Sequence, residues 1–344
     1  MKGVLLVNLG SPDSTATNDV KKYLDQFLMD KRVIDVPYLL RAFIVKGIIL
    51  NTRPKKSAEA YKKIWWNEGS PLIVLSKRLQ QKVQQEVTVP VSLAMRYGNP
   101  SIKSGLQELH NKGVTEVFLV PLYPQFAMAT TETILVLAKK LQQQFFPNMS
   151  LTELPAFYNK KEYIAALSSS IKEFLNDKNW EHLLFSYHGV PERHIKKSDI
   201  TKSHCKIDGQ CCNTPSEAHQ FCYRHQCYET TKQVAEVLQL KEGTYNTSFQ
   251  SRLGRDPWLQ PYTDQTVEAY AQKGIKNLAI VTPAFVSDCL ETLEEIGMEA
   301  VEEFKHNGGE ECHVIPCLND RDDWVKALSG WINAWTQKAN TIHG

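Results

Sequence analysis

Long hydrophobic runs are missing from this chain of 344 residues. No apolar stretch reaches bilayer thickness, so no helical membrane span is expected. A surplus of either charge is missing too: 40 Lys and Arg stand against 38 Asp and Glu, a formal net charge of +2. Nucleic-acid binding needs a basic excess, so no nucleic-acid partner is expected. Sustained heptads are absent, and a monomer or weak homodimer is expected. No Walker loop and no G-x-G-x-x-G between strand and helix occurs, which disfavours a nucleotide-using enzyme. The opening M-K-G-V-L-L-V-N-L-G-S-P has too short an apolar core for a secretory signal and no small-residue cleavage site. It reads as a buried strand entering a Gly-Ser-Pro turn, and a cytoplasmic location is expected. The eight cysteines would be thiols there unless they hold metal.

What is present is an ordinary globular composition, 42% hydrophobic and 23% charged, and a regular alternation of strand and helix. Strands are predicted at Val4–Leu9, Val91–Met95, Val114–Leu122 and Met149–Leu154. Helices fall between them at Asn18–Phe27 (capped by Thr15 or Thr17), Ser76–Gln85, Ser101–Lys112 and Thr131–Gln144. After Pro155 the series restarts, with strands at His182–Tyr187, Thr244–Gln250, Leu278–Val281 and Gly309–Pro316. Asp322–Lys338 reads as a last helix, anchored by Trp324, Trp331 and Ile332. Two such runs argue for an α/β chain of two Rossmann-like doubly wound domains, each a mainly parallel sheet flanked by helices. The expected division is 1–155 and 156–319, with a helix within 320–344 packing back on the first domain. Ligands on such folds sit at the carboxyl ends of strands, often between domains.

Three strand ends carry chemistry. Phe185–Pro191 puts His188 at one of them, and Pro121–Gln125 puts Tyr123 on another. Thr282–Val301 leads from a third into a segment with Glu291, Glu295 and Glu299. A repeat of four stacks these acids on one helical face, with Asp288 at the upstream end and Leu290, Leu293 and Ile296 as the apolar side. Like charges at this spacing repel by roughly 0.2–0.5 kcal/mol per pair; a cation, or protons passed along, relieves that cost. A histidine opposite a carboxylate row suits proton removal or a divalent cation. Zinc-like H-E-x-x-H or C-x-x-C spacing is absent here.

These blocks together resemble the ferrochelatases, enzymes that insert ferrous iron into a porphyrin. The resemblance runs nearly end to end: G-V-L-L-V-N-L-G-S-P-D at Gly3–Asp13, G-S-P-L at Gly69–Leu72, M-R-Y-G at Met95–Gly98 and P-L-Y-P-Q-F at Pro121–Phe126. Its most specific parts are L-F-S-Y-H-G-V-P at Leu184–Pro191, Q-S-R-L-G-R-D-P-W-L-Q-P at Gln250–Pro261 and F-V-S-D-C-L-E-T-L-E-E-I at Phe285–Ile296. The resemblance implies that His188 takes protons or meets the metal, that Glu291 faces it, and that Glu295, Glu299 and Asp288 extend a metal or proton path. It implies that Arg96, Tyr97 and Tyr123, and less directly Tyr61, Ser70 and Trp258, line the porphyrin cleft. One departure stands out: several relatives have histidine where this chain has Cys289. Two alternatives share the fold, a chelatase for another metal or tetrapyrrole and a non-catalytic tetrapyrrole carrier or iron–sulfur sensor. An intact His188–Glu291 pair speaks against the carrier.

Ser203–Tyr228 holds Cys205, Cys211, Cys212, Cys222 and Cys227. Such density in a cytoplasmic protein suggests metal rather than disulfides; the spacing alone does not choose between zinc and iron–sulfur. The resemblance implies a [2Fe–2S] cluster in a Cys-rich insertion at 200–228, with Cys205, Cys212, Cys222 and Cys227 as ligands and Cys211 as a substitute for Cys212. Finally, Phe27–Met29 and Tyr38–Leu50 are rich in large apolar residues, interrupted by Arg41 and Lys46. In the family this region forms the lip of the site, and peripheral contact with the inner face of the membrane is expected.

Overall fold

The structure, a computed structural model, describes residues 1–254 and 256–338. Arg255 of the Gln250–Pro261 motif and residues 339–344 of the expected C-terminal segment lie outside the described residues. The chain forms two units. The first comprises Met1–Leu122, Met128–Pro155 and the chain from Asn319 onward; the second comprises Tyr123–Ala127 and Ala156–Leu318.

Each unit is built on one parallel sheet. The first contains β1 (Lys2–Asn8), β2 (Val91–Met95), β3 (Glu116–Pro121) and β4 (Ser150–Glu153), in the order β2-β1-β3-β4. The second contains β5 (His182–His188), β6 (Tyr245–Gln250), β7 (Asn277–Val281) and β8 (Glu311–Val314), in the order β6-β5-β7-β8. The strand order is the same in both. The central strands show why: β1 is buried from Gly3 to Asn8, and β5 from His182 to Tyr187. An unbroken apolar run, rather than alternation, belongs to a parallel strand covered on both faces by helices. Polar side chains can therefore emerge only where strands end.

The helix Asp322–Lys338 belongs to the first unit, with Trp324 and Ile332 fully buried and Trp335 stacked on Phe118 at 5.0 Å between ring centroids. Trp331 is only partly buried. Two other details differ from the sequence reading. Neither Thr15 nor Thr17 caps the first helix, Thr17–Leu28; Ala16 occupies the cap position, and the nearby Ser14 hydroxyl accepts from the Ala16 N–H and donates to Asp19. The apolar segment after Pro37 is helical throughout, as Tyr38–Ala42, a π-type stretch Phe43–Ile49 and Leu50–Ile64. Pro54 lies inside the last of these, and an internal proline masks a helix in sequence because it removes a backbone donor.

Candidate active site

In the second unit the strand order reverses between β5 and β7, which makes their carboxyl ends a topological switch point, the usual ligand crevice of an open α/β sheet. His188 is the last residue of β5. Its Nδ1 lies 2.6 Å from the Gly189 carbonyl oxygen. A carbonyl only accepts, so Nδ1 carries the proton and Nε2 presents a lone pair. The Tyr223 hydroxyl holds the His188 carbonyl at 2.8 Å, and Phe285 brings the segment after β7 beside the imidazole, 6.3 Å between ring centroids. Gly189 is required by close approach: a Cβ there would stand 2.8 Å from the Ser251 oxygen, 3.0 Å from the Gln250 oxygen and 3.3 Å from the Trp258 ring. Trp258, half-buried and bridged to Pro191, thus borders this turn, with its Nε1 donating to the Leu253 carbonyl at 3.0 Å.

The acidic segment Glu291–Ala300 is a π-helix rather than the α-helix that a spacing of four presumes. Such wide turns are uncommon and occur frequently at functional sites. Ile296, Ala300 and Phe304 seat it in a core with Leu184, Leu278 and Ile280. Of the three apolar anchors expected, Ile296 is buried, whereas Leu290 and Leu293 are half-buried. The acids grade outward: Asp288 is buried, Glu291 and Glu295 half-buried, Glu299 exposed. Glu294, outside the repeat of four and so missed in sequence, is buried.

Neighbouring groups fix this row. Gln250 Nε2 donates to the Glu291 carbonyl at 3.0 Å, while Gln250 Oε1 accepts from the Ser186 hydroxyl at 2.9 Å. The Ser251 hydroxyl bonds to Glu295 Oε2. Ser251 adopts φ +59°, a left-handed backbone that favours glycine and costs a serine of order 1–3 kcal/mol. Asp288 Oδ1 accepts from the Thr292 hydroxyl at 2.9 Å and the Cys317 N–H at 3.3 Å, which makes it the anchor of the helix start. The Cys289 thiol is buried and is pushed well up by that burial and by the neighbouring Glu291 carboxylate.

Tyr123 is buried within a segment tied to the helix Tyr223–Leu238 by Gln125 Nε2 to the Thr230 hydroxyl, 3.1 Å, and the Phe126 N–H to Gln226 Oε1, 2.7 Å. The remaining candidates lie in the first unit. Arg96 and Tyr97 follow β2 and converge on Asp30, a residue no motif marks. The carboxylate receives the Arg96 guanidinium, the Thr133 hydroxyl and, at 3.1 Å, the Tyr97 hydroxyl. Burial works against the Asp30 carboxylate, yet these donors and the Arg32 backbone N–H outweigh it and hold the carboxyl below its ordinary range. Tyr61 is buried edge-on to Tyr23 and Trp65, and Ser70 is buried at the start of the helix Pro71–Glu86.

The cysteine loop forms a separate cluster. Cys205 neighbours Cys222, and Cys212 neighbours both Cys222 and Cys211, closely enough for the thiols to influence one another. Burial pushes Cys205 up to about 11; the contact with Cys222 and burial push Cys212 up, against the opposing Arg224 guanidinium. Cys227 is fully buried and bonds instead with Tyr223. The four linked sulfurs form a chain of contacts; among the described residues, no group of three or more His, Cys, Asp or Glu stands in metal-ligand geometry.

Two parallel sheets of one strand order define a known architecture. The chain resembles SirB from Bacillus subtilis with Fe3+ at a TM-score of 0.54 and 11% identity, covering 96% of this chain and 94% of that one. It also resembles the sirohydrochlorin chelatase SirB from Bacillus subtilis subspecies spizizenii in complex with cobalt, at a TM-score of 0.51 and 11% identity, covering 95% and 91%. By fold the protein is a two-domain chelatase-type α/β chain. Sequence narrows the class. The ferrochelatase family profile matches residues 1–335. The ferrochelatase of Pseudomonas fluorescens (strain SBW25) is 49% identical over 95% of this chain and 96% of its own length. That of Azotobacter vinelandii is 48% identical over 95% and 96%. The chain belongs to the ferrochelatase family, and the protein is accordingly a metal chelatase.

Two outcomes follow from these contacts. Gly189→Ala forces the β5 and β6 ends apart; melting curves should show a loss of about 1–3 kcal/mol, with a lower turnover number, and an unchanged melting temperature would contradict the close approach. Asp30, with its carboxyl depressed in the folded state, contributes stability that is present above the unfolded value of about 4 and fades as pH falls through the lower folded value. Asp30→Asn should melt lower at pH 7 and lose less on further acidification than the parent; identical pH profiles would show that the carboxylate contributes nothing.

Proposed function

We propose that this protein inserts Fe2+ into a porphyrin, protoporphyrin IX, with release of two protons, as the terminal step of haem synthesis. The carrying observation is His188, half-buried at the switch point with its Nδ1 held by the Gly189 carbonyl, in a unit whose carboxylates grade from buried Asp288 to exposed Glu299. A free porphyrin carries two pyrrole protons that leave as the dication enters, which balances the charge; a base that accepts them and a path that removes them speed the exchange. His188 Nε2 is the proton acceptor, Glu291 the adjacent carboxylate, and Glu295 and Glu299 continue toward water. Arg96, Tyr97, Tyr123, Tyr61, Ser70 and Trp258 are the porphyrin-side residues; Arg96 and Tyr97 both donate to Asp30.

The cysteine loop is read as a [2Fe–2S] site. Four linked soft donors fit such a group, because iron binding replaces thiol protons and converts a chain of weak S–H contacts into bonds. Cys205, Cys212 and Cys222 are common to the expected set and to the linked sulfurs. Cys211, which neighbours Cys212, is an alternative fourth donor to Cys227, whose neighbours are Tyr223 and Cys212. Porphyrin metallation transfers no net electrons, so the cluster serves structure or sensing.

Peripheral membrane contact is the third element. Among the described residues no helix is long and apolar enough to cross a membrane. Tyr38, Leu39, Leu40, Phe43 and Ile48 are 49–81% exposed, and exposed Lys46, Arg53, Lys55 and Lys56 follow along the same helical run. An apolar patch with cations suits the interface of an anionic bilayer, where a greasy porphyrin is also found. Arg41 does not share that exposure; it is buried and donates to the Ile34 and Val36 carbonyls at 3.1 and 3.0 Å.

One anaerobic experiment tests the chemistry. The purified protein is scanned in the visible range, then given protoporphyrin and ferrous iron while free porphyrin is followed. Haem should form, His188→Ala should lower turnover by about 100-fold or more while porphyrin still binds, and Cys222→Ser should bleach the initial cluster absorbance. Porphyrin binding without metallation by iron, cobalt or zinc would support a carrier instead, and undiminished turnover in His188→Ala would remove the proposed base. For the membrane, vesicles containing phosphatidylglycerol should retain the parent and release a Leu39→Glu, Phe43→Glu variant; equal retention of both would refute the patch.

A further inference from the structure

Arg224 stands in the first turn of the helix Tyr223–Leu238, two residues after Cys222. Its NH1 lies 3.3 Å from Cys212 Sγ and 4.0 Å from Cys211 Sγ. The guanidinium carbon sits 5.0 Å from the centre of the Tyr228 ring one turn along the same helix, so the group is braced by a cation–π contact. Among the described residues no carboxylate forms an ion pair with Arg224. It is a half-buried cation whose polar neighbours are the two sulfurs and the Tyr228 hydroxyl.

The backbone beneath those sulfurs is held as well. His204 Nε2 and His219 Nε2 point at the Cys211 carbonyl, at 2.7 and 3.0 Å, and His225 Nδ1 reaches the Cys212 carbonyl at 2.9 Å. The His219 and His225 rings stack at 3.6 Å between centroids. Cys211 and Cys212 are therefore presented to Arg224 from a braced platform.

We propose that Arg224 is a positioning residue for the iron–sulfur site, holding the Cys211 and Cys212 thiolates and biasing the cluster toward its reduced form. This rests on the [2Fe–2S] reading given above. Four thiolates and bridging sulfides make an oxidised cluster net negative, and reduction adds a further negative charge. A fixed cation that hydrogen-bonds the ligating sulfurs stabilises the more negative state more strongly. Burial strengthens the effect by limiting solvent screening. Lysine keeps the charge but not the planar fork, whereas glutamine keeps hydrogen-bonding capacity without charge.

The test is an anaerobic redox titration of the full-length protein, followed by visible absorbance and by electron paramagnetic resonance of the reduced cluster, with iron content measured in parallel. At a fixed poise, Arg224→Gln should show a roughly tenfold lower ratio of reduced to oxidised cluster, about 59 mV for a one-electron couple. Arg224→Lys should recover most of that ratio. Loss of bound iron from Arg224→Gln alone, with Arg224→Lys loaded, would equally support the assignment. An unchanged ratio in Arg224→Gln, or equal loss of iron from both variants, would overturn it. A parent protein with neither cluster absorbance nor bound iron would overturn the cluster reading itself, and the inference with it, a result distinct from failure of Arg224 alone.

Discussion

The pairing of β5 with β6 organises the strand ends of the second unit. Gly189 N–H reaches the Gln250 carbonyl at 2.6 Å, and the two strands end together with His188 opposite Gln250. That register lets the Gln250 side chain turn to the Glu291 carbonyl while its other end takes the Ser186 hydroxyl. Ser186 and Ser248 also meet Thr263, each at 2.8 Å. A buried amide and its hydroxyls, all partnered, thereby link two strand ends to the first turn of the acidic helix. A network of this kind is rigid because leaving any member unpaired in the interior costs about 1–3 kcal/mol.

The acidic helix then has to serve two demands. Its apolar side fills the core against β5 and β7, and its acidic side grades from buried to exposed carboxylates. The π winding meets the first with Ile296 and Ala300 buried, and leaves Glu291 and Glu295 half-buried and Glu299 exposed. Charge is tolerated at the buried end by local donors: Thr292 and the Cys317 N–H at Asp288, and Ser251 at Glu295. A strained serine backbone beside that carboxylate is consistent with a site whose geometry is held by its surroundings.

The cysteine loop obeys a different logic. It has little regular structure beyond a short 3-10 turn at Glu217–Gln220, and is tied together by Asx-type contacts, stacked histidines and sulfur contacts. Asp199 accepts the His204 and Cys205 N–H groups, each at 2.9 Å; despite the cost of burial, these bonds and those from Thr201 bring its carboxyl down to about 2. The loop is shaped around its thiols and not around a hydrophobic core.

Sequence determined a good deal here. Continuous apolar runs marked the strands, because parallel strands are covered on both faces, and turn residues after them located His188, Tyr123 and the acidic segment at strand ends. Local spacing also fixed the family, since its motifs are contiguous. Tertiary structure decided what contiguous spacing cannot encode. Asp30 partners Arg96 across 66 positions of chain, so no short window of sequence contains both. Glu294 is buried on a π-wound helix that packs against β5 and β7, a placement that a repeat of four does not reveal. The neighbours of Cys211 and Cys227 are likewise set by the fold: Cys212 for the first, Tyr223 and Cys212 for the second. Composition and pattern set which residues reach the interior or the strand ends; long-range contacts alone set what each meets there.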